Sequence, residues 1–294
     1  MRKKNPRYLR FGVVAFIDLL GFSSRAEALG TEDDIKNLER DIKRIQAWFD
    51  HKPSDDLTKQ VQKITAKSVI AFSDCIILSV PFESDLARSG GHFDVVMSEL
   101  TNVAYAQGRC AVNGIFLRGG IDYGIWYRRG DVLISPAMIK AYHLEREACV
   151  PMIALTDSLL TYLSEHRHRK FYHKSIDPIE STFRKFENLP NDSTQHFVDY
   201  IPICLESLEG SIPKEAQEIY ATSSSEEKDR MRNEAYECAC NVWISQHRKE
   251  IIKAHERATV ESVRAKYVWL ARYHDDAVSR FFKRPTRDML IGEL

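Results

Sequence analysis

Two acidic residues stand out by position, Asp18 and Asp74. Asp18 closes the apolar run FGVVAFID at residues 11–18. A carboxylate at the end of a buried strand must be paired or hold a cation. Asp74 sits in the polar break Ser73-Asp74 between apolar residues 69–72 and 75–80. Two carboxylates held close repel each other unless a cation lies between them. Hard oxygen ligands of this kind suit Mg²⁺ or Mn²⁺ carrying a phosphate chain. Two such ions can activate an attacking oxygen and stabilise a leaving phosphate. The turn Leu19-Leu20-Gly21-Phe22-Ser23 follows Asp18. Backbone N–H groups at Gly21 and Phe22, entering a helix, suit a phosphate.

Strands and helices must place these groups. Residues 11–18 form a buried strand by their β-rich apolar run. A helix-periodic segment follows at 31–50, with Ile35, Leu38, Ile42, Ile45, Ala47 and Phe49 near one face, and a loop at 52–55. Residues 61–72 and 75–80 read as a tight hairpin with Ser73-Asp74 at its tip. A helix is expected at 92–111, a glycine-relieved strand at 114–124, a turn at 128–131 and a short strand at 132–134. Ser135 as cap and Pro136 at the first position open another helix to about 147. A short strand at 151–155 precedes a helix capped by Thr156. The order β-α-β-β-α-β, then β-α-β, is the ferredoxin-like split arrangement: α+β, an antiparallel sheet with helices on one face. Its first strand and central hairpin are neighbours, which brings Asp18 and Asp74 to one end of the sheet.

Past residue 175 the pattern changes. Asp177-Pro178, residues 189–192 and Ile212-Pro213 are loop punctuation. The serines at 223–225 cap a long helical stretch reaching about 282, with no strand pattern. The division is an α+β domain over 1–175 and a mostly helical extension over 176–294.

Composition excludes several classes. Lys and Arg number 42 and Asp and Glu 42 in 294 residues, so formal charge is zero. That argues against a chain that coats nucleic acid or an anionic membrane. No stretch approaches the roughly 18 apolar residues of a membrane span. Asp18 interrupts the N-terminal apolar run, which removes a signal peptide. Six scattered cysteines without a CxxC pair suit a reduced, cytoplasmic chain rather than a zinc site.

Four motifs resemble those of class III nucleotidyl cyclases, in order, over roughly residues 8–165. FIDLLGFS at 16–23 is similar to the first metal motif, and FSDCIILSVP at 72–81 to the second. LRGGIDYG at 117–124 resembles the R-x-G-I-x-x-G strand, and ISPAMIKAYHLE at 134–145 the helix that follows. With KYVWLARYH at 266–274, the resemblance is closest to the Pycsar pyrimidine cyclases of bacterial antiphage defence. It implies a homodimer with shared active sites that makes 3′,5′-cyclic UMP or CMP and diphosphate from UTP or CTP, UTP being favoured. The product would activate a separate effector protein. By the same resemblance Asp18 and Asp74, with the backbone of Ile17 and Leu19, hold two Mg²⁺ or Mn²⁺ ions. Gly21, Phe22 and Arg118 meet phosphate, although a strand Arg pairs as readily with a sheet carboxylate.

The departures bear on the base. Ile139 and His143 stand where purine cyclases carry Asn-x-x-x-Arg, and Ile70 where adenylyl cyclases carry an adenine-reading Lys. His143 then stands either as transition-state donor or as a surface residue of the helix, as do Tyr142 and Arg146 beside it. Alternatives are a purine cyclase and a catalytically silent nucleotide-sensing module. The basic run 167–170 with His173 and Lys174 reads as a solvated loop, and Tyr267, Trp269 and Tyr273 as helix packing.

Overall fold

The computed structural model describes residues 8–49, 66–166, 178–186 and 195–294. The chain runs β1 (Leu9–Leu19), α1 (Phe22–Glu27), α2 (Glu32–Phe49), β2 (Ser68–Phe72), β3 (Cys75–Pro81), α3 (Asp85–Gly90), α4 (His92–Ala111), β4 (Leu117–Arg129) and β5 (Val132–Ile134). It continues with α5 (Pro136–Ala148), β6 (Ile153–Leu155), α6 (Asp157–Glu165), α7 (Pro178–Thr182), β7 (Phe183–Phe186) and β8 (Gln195–Val198). Helices α8 (Tyr200–Glu206), α9 (Gln217–Thr222), α10 (Ser225–Arg257) and α11 (Glu261–Phe281) follow. It packs as two units, Met1–Cys110 with Ile115–Asp199, and Ala111–Gly114 with Tyr200–Leu294. The expected loops at 52–55 and 189–192, the basic run at 167–174 and the start of the second strand at 61–65 lie outside the described residues.

The first unit is built on one sheet, ordered β2-β3-β1-β4-β6-β8-β7, with β5 on β4. Strands β2, β3, β1 and β4 pair antiparallel, as the ferredoxin-like order requires. The β4–β6 pair is parallel, so the whole sheet is mixed. Strands β7 and β8 were not marked by the sequence pattern. They pair with each other and, through β8, with β6, and carry the sheet past residue 175.

Strand β1 is apolar along most of its length because both of its faces are covered. Val13, Ala15 and Ile17 are at most 1% exposed on one face, and Val14 is 0% exposed on the other. The expectation of helices on one face is therefore corrected to cover on both. Helix α5 takes the face of Val14. There Ala137 packs with Val14 and Trp126, and a Cβ at Gly120 would sit 2.1 Å from the Ala141 carbonyl oxygen. The caps form as the sequence indicates: Ser135 accepts from Met138 N–H, with Pro136 beginning the helix, and Thr156 accepts from Leu159 N–H. Ser224 and Glu227 form a reciprocal capping box on α10.

The second unit holds a buried proton chain. Tyr200 Oη lies 2.7 Å from His247 Nε2, His247 Nδ1 lies 2.8 Å from His274 Nδ1, and His274 Nε2 lies 2.9 Å from the Met289 carbonyl. A carbonyl only accepts, so His274 Nε2 donates and its Nδ1 accepts. His247 Nδ1 then donates, its Nε2 accepts, and the Tyr200 hydroxyl donates. Every position is satisfied only while both rings are neutral. Burial pushes both histidines below their ordinary pKa; the charge of the other ring adds to this at His247, and that of Arg248 at His274. The Met289 carbonyl and Asp275 pull His274 partly back. Groups held neutral in the fold and protonated in the unfolded chain give stability that is present above about pH 6.5 and lost below it. The free energy of urea unfolding, followed by tryptophan fluorescence, should fall from pH 6.5 to pH 5 by up to about 1.4 kcal/mol per pH unit for each histidine, and the urea midpoint with it. A midpoint flat across that range would contradict the neutral chain.

Candidate metal and phosphate site

The ladder sets the site. On β1, Asp18 pairs with Cys75 of β3 on one side and Arg118 of β4 on the other. Residues opposite one another in a ladder point to the same face. Phe72 and Cys75 close the hairpin with Ser73 and Asp74 as a two-residue turn. Ser73 takes φ 55° there, a conformation that such hairpin turns demand and a side chain resists. Leu19 N–H donates to the Asp74 carbonyl at 3.2 Å, which fixes the tip against the end of β1.

One ligand atom each from Asp18, Asp74 and Cys75 lies within 4.8 Å of the others. The Cys75 thiol donates weakly to Asp74 Oδ1 at 3.7 Å and Asp18 Oδ1 at 3.9 Å. Arg118 takes the other oxygen of Asp18: its Nε and Nη2 both lie 2.9 Å from Oδ2. The same guanidinium meets Glu145 Oε1 at 2.6 Å. Glu145 comes from α5 and is 2% exposed. Two carboxyl groups thus share one guanidinium.

Burial pushes the Asp18 carboxyl above its ordinary pKa; Arg118 pulls it back and the nearby Asp74 adds to the rise. The Cys75 thiol is pushed up to about 12, first by burial and then by the two aspartates. At neutral pH Cys75 is therefore a thiol. The donor set facing the gap is two carboxylate oxygens, Asp18 Oδ1 and an oxygen of Asp74, beside a neutral sulfur. That set fits a hard divalent cation such as Mg²⁺ or Mn²⁺ better than a thiophilic one.

The other sequence candidates fall in different places. The Ile17 side chain is in the core at 0% exposure, and Leu19 is at 5%. Gly21 has φ 79°, and a Cβ there would meet nothing within 4 Å. Phe22 opens the six-residue α1. Ile70 packs against the cluster of Val14, Trp126 and Ala137. His143 is exposed on α5, its ring 5.7 Å from that of Tyr142. Tyr142 itself meets Phe16 edge-on at 5.2 Å, and Arg146 lies over the Tyr142 ring. Tyr267, Trp269 and Tyr273 are buried, as packing predicts.

Sequence reasoning assigned no role to Cys75 or Glu145. Glu145 did carry a signal, because Ala137, Ala141 and Glu145 recur every fourth residue on α5. A carboxylate in a stripe of small residues must find a buried cation. A second polar cluster braces the same sheet face. Asp122, 0% exposed, accepts from Thr156 at 2.5 Å and Ser158 at 3.0 Å and lies 3.6 Å from Lys140 Nζ. It thereby ties β4 to the start of α6.

No protein-family model matches the sequence, and no curated protein does. Solved structures with some likeness include the monomeric guanylyl cyclase domain of the RhoGC fusion protein from the aquatic fungus Blastocladiella emersonii. It is 12% identical at a TM-score of 0.40, over 65% of this chain and 95% of that one. A bacterial light-regulated adenylyl cyclase is 14% identical at 0.37, over 65% and 91%. The adenylyl cyclase CyaB from P. aeruginosa is 12% identical at 0.36, over 65% and 93%. Likeness at this level assigns no chemistry to the chain. Among the described residues no helix is long and apolar enough to cross a membrane.

Proposed function

We propose that the chain is a pyrimidine nucleotidyl cyclase, forming a 3′,5′-cyclic pyrimidine monophosphate and diphosphate from UTP, or from CTP. The observation that carries this is the pairing of Asp18 and Asp74 at adjoining strand ends, their ligand atoms within 4.8 Å. The four motifs at residues 16–23, 72–81, 117–124 and 134–145 support it by their order. Asp18 Oδ1 and Asp74 would hold the divalent ions, with the backbone at Ile17 and Leu19 beside them. Mg²⁺ or Mn²⁺ bound there supplies positive charge that acidifies the ribose 3′-hydroxyl and neutralises the triphosphate. In the reaction the 3′-oxygen bonds to the α-phosphorus, the bond to the β-phosphate oxygen breaks, and the hydroxyl proton is lost to solvent.

The protein's own groups orient the parts. Arg118 holds Asp18 by its second oxygen, so the first keeps a fixed direction. The open backbone at Gly21 and Phe22 receives phosphate. Ile70 belongs to an apolar cluster, so it offers a base no hydrogen bond. A pyrimidine, smaller than a purine, suits such a filled surface. The reading further includes a homodimer with composite sites, His143 acting as donor in the partner's site, a cytoplasmic location, and a product that activates an effector in antiphage defence.

A silent nucleotide-sensing module is the second reading. It is favoured by the engagement of Asp18 with Arg118 and by Ile139 where a purine cyclase has Asn. One incubation separates the two: all four NTPs at equal concentration with Mn²⁺, products identified by mass. A cyclic pyrimidine monophosphate should dominate. A dominant cyclic purine rejects the base assignment, and release of no cyclic product from any NTP supports the module.

A further inference from the structure

The opposite end of β1 carries a second concavity, of about 590 Å³. Among the described residues it is lined by Tyr8, Arg10, Lys67, Trp126, Arg128 and Arg129, with smaller neighbours, and by no Asp or Glu. Arg10 lies eight residues before Asp18 on the same strand, or about 26 Å away at strand rise. The pocket is therefore separate from the carboxylate site.

Its cations are arranged rather than scattered. Arg10 and Trp126 are ladder partners, so both face the pocket side of the sheet. Arg10 Nη1 donates to the Ala66 carbonyl at 3.2 Å, and Ala66 holds φ 52°. Arg128 Nη1 donates to Ser68 Oγ at 2.9 Å, and its backbone N–H to the Tyr8 carbonyl. The Arg129 guanidinium lies over the Tyr8 ring, 5.4 Å from its centre. Lys67 is matched by Glu99 at 2.5 Å. Among the described residues no carboxylate pairs with Arg10, Arg128 or Arg129.

The chain as a whole has no net charge, so three guanidinium groups around one concavity, with no carboxylate partner among the described residues, are a local feature. Like charges held together by backbone and ring contacts are stabilised by a multivalent anion between them. Each guanidinium fork has donors left over, and that geometry matches phosphate oxygens. We infer that this pocket binds a polyphosphate group without a metal ion. The ligand is free inorganic polyphosphate or the phosphate tail of a nucleotide. A nucleic-acid backbone fits poorly, since the basic groups are confined to one short stretch at the sheet end of an electrically neutral chain.

The inference is independent of the cyclase reading and is tested in EDTA, where the Asp18–Asp74 pair holds no cation. Isothermal titration of the full chain with inorganic tripolyphosphate, and separately with UTP and ATP, should show one saturable site per chain that weakens with salt. Arg128→Gln and Arg129→Gln should each weaken it roughly tenfold, the scale of a charge-assisted bond to phosphate. Arg129 is an exposed hairpin residue held by a ring contact, so this second variant tests binding without threatening the fold. Asp74→Ala should bind as the parent does. Tighter binding of nucleotides than of tripolyphosphate identifies the nucleotide as the source, and equal binding identifies phosphate alone. The proposal is overturned if neither ligand saturates, if both Arg variants bind like the parent, or if Asp74→Ala loses the site. Binding of a single-stranded RNA in preference to either ligand also overturns it.

Discussion

Asp74→Ala removes metal-dependent product formation, by about a thousandfold or more, while the chain stays folded. The expectation follows from where charge sits. Losing one ligand to an ion that neutralises a triphosphate removes several kcal/mol of transition-state stabilisation, and about 1.4 kcal/mol is tenfold in rate. Stability should move the other way. Asp74 raises the pKa of Asp18, so the two carboxylates repel in the fold, and deleting one relieves that strain. The melting temperature of Asp74→Ala should equal or exceed that of the parent. Asp18→Asn should lose activity to a similar extent, since an amide keeps the shape and drops the charge. Product formation with Mn²⁺ within about tenfold of the parent in either variant would sink the assignment.

Gly120→Val should damage the first unit severely. A Cβ there would sit 2.1 Å from the Ala141 carbonyl oxygen and 3.0 Å from its Cα. Both atoms are backbone, so no rotamer change relieves the overlap, and α5 must lift from the sheet. Overpacking typically costs up to about 3 kcal/mol, which for a unit of this size lowers the melting temperature by roughly 6–12 °C. Helix α5 also delivers Glu145 to Arg118, so site geometry should suffer with stability. A thermal melt within about 2 °C of the parent would show that α5 can yield more easily than the contact implies.

What was legible in the sequence follows from the range of each signal. The apolar run of β1 and the two-residue break at Ser73-Asp74 are local, and both elements form where they were read. Cap chemistry at Ser135, Thr156 and Ser224 is local too. The meeting of Asp18 with Asp74 needed one tertiary step, the neighbour relation of the first strand and the central hairpin. The Arg118–Asp18 pair needed the ladder register, which no single segment contains. The engagement of Glu145 needed α5 on the same face as those two residues. Strands β7 and β8 are four residues each, too short for alternation to separate them from loop. Cover on both faces of β1 was implicit in its unbroken run, since a strand with one wet face alternates.

Arg118 has a consequence for handling the protein. Its guanidinium sits on Asp18 and Glu145, so part of the charge of the constellation is balanced by the chain itself. On the proposed reading, divalent metal should then act as a titrant of a finished fold and not as a folding partner. Chelation should strip it without unfolding, reloading should be fully reversible, and a chelator-treated preparation is the proper zero point for any metal titration. The ion gained on loading would meet a site partly neutralised beforehand, so loading should need free metal in the range that a nucleotide's own bound cation supplies, with ion and substrate arriving together.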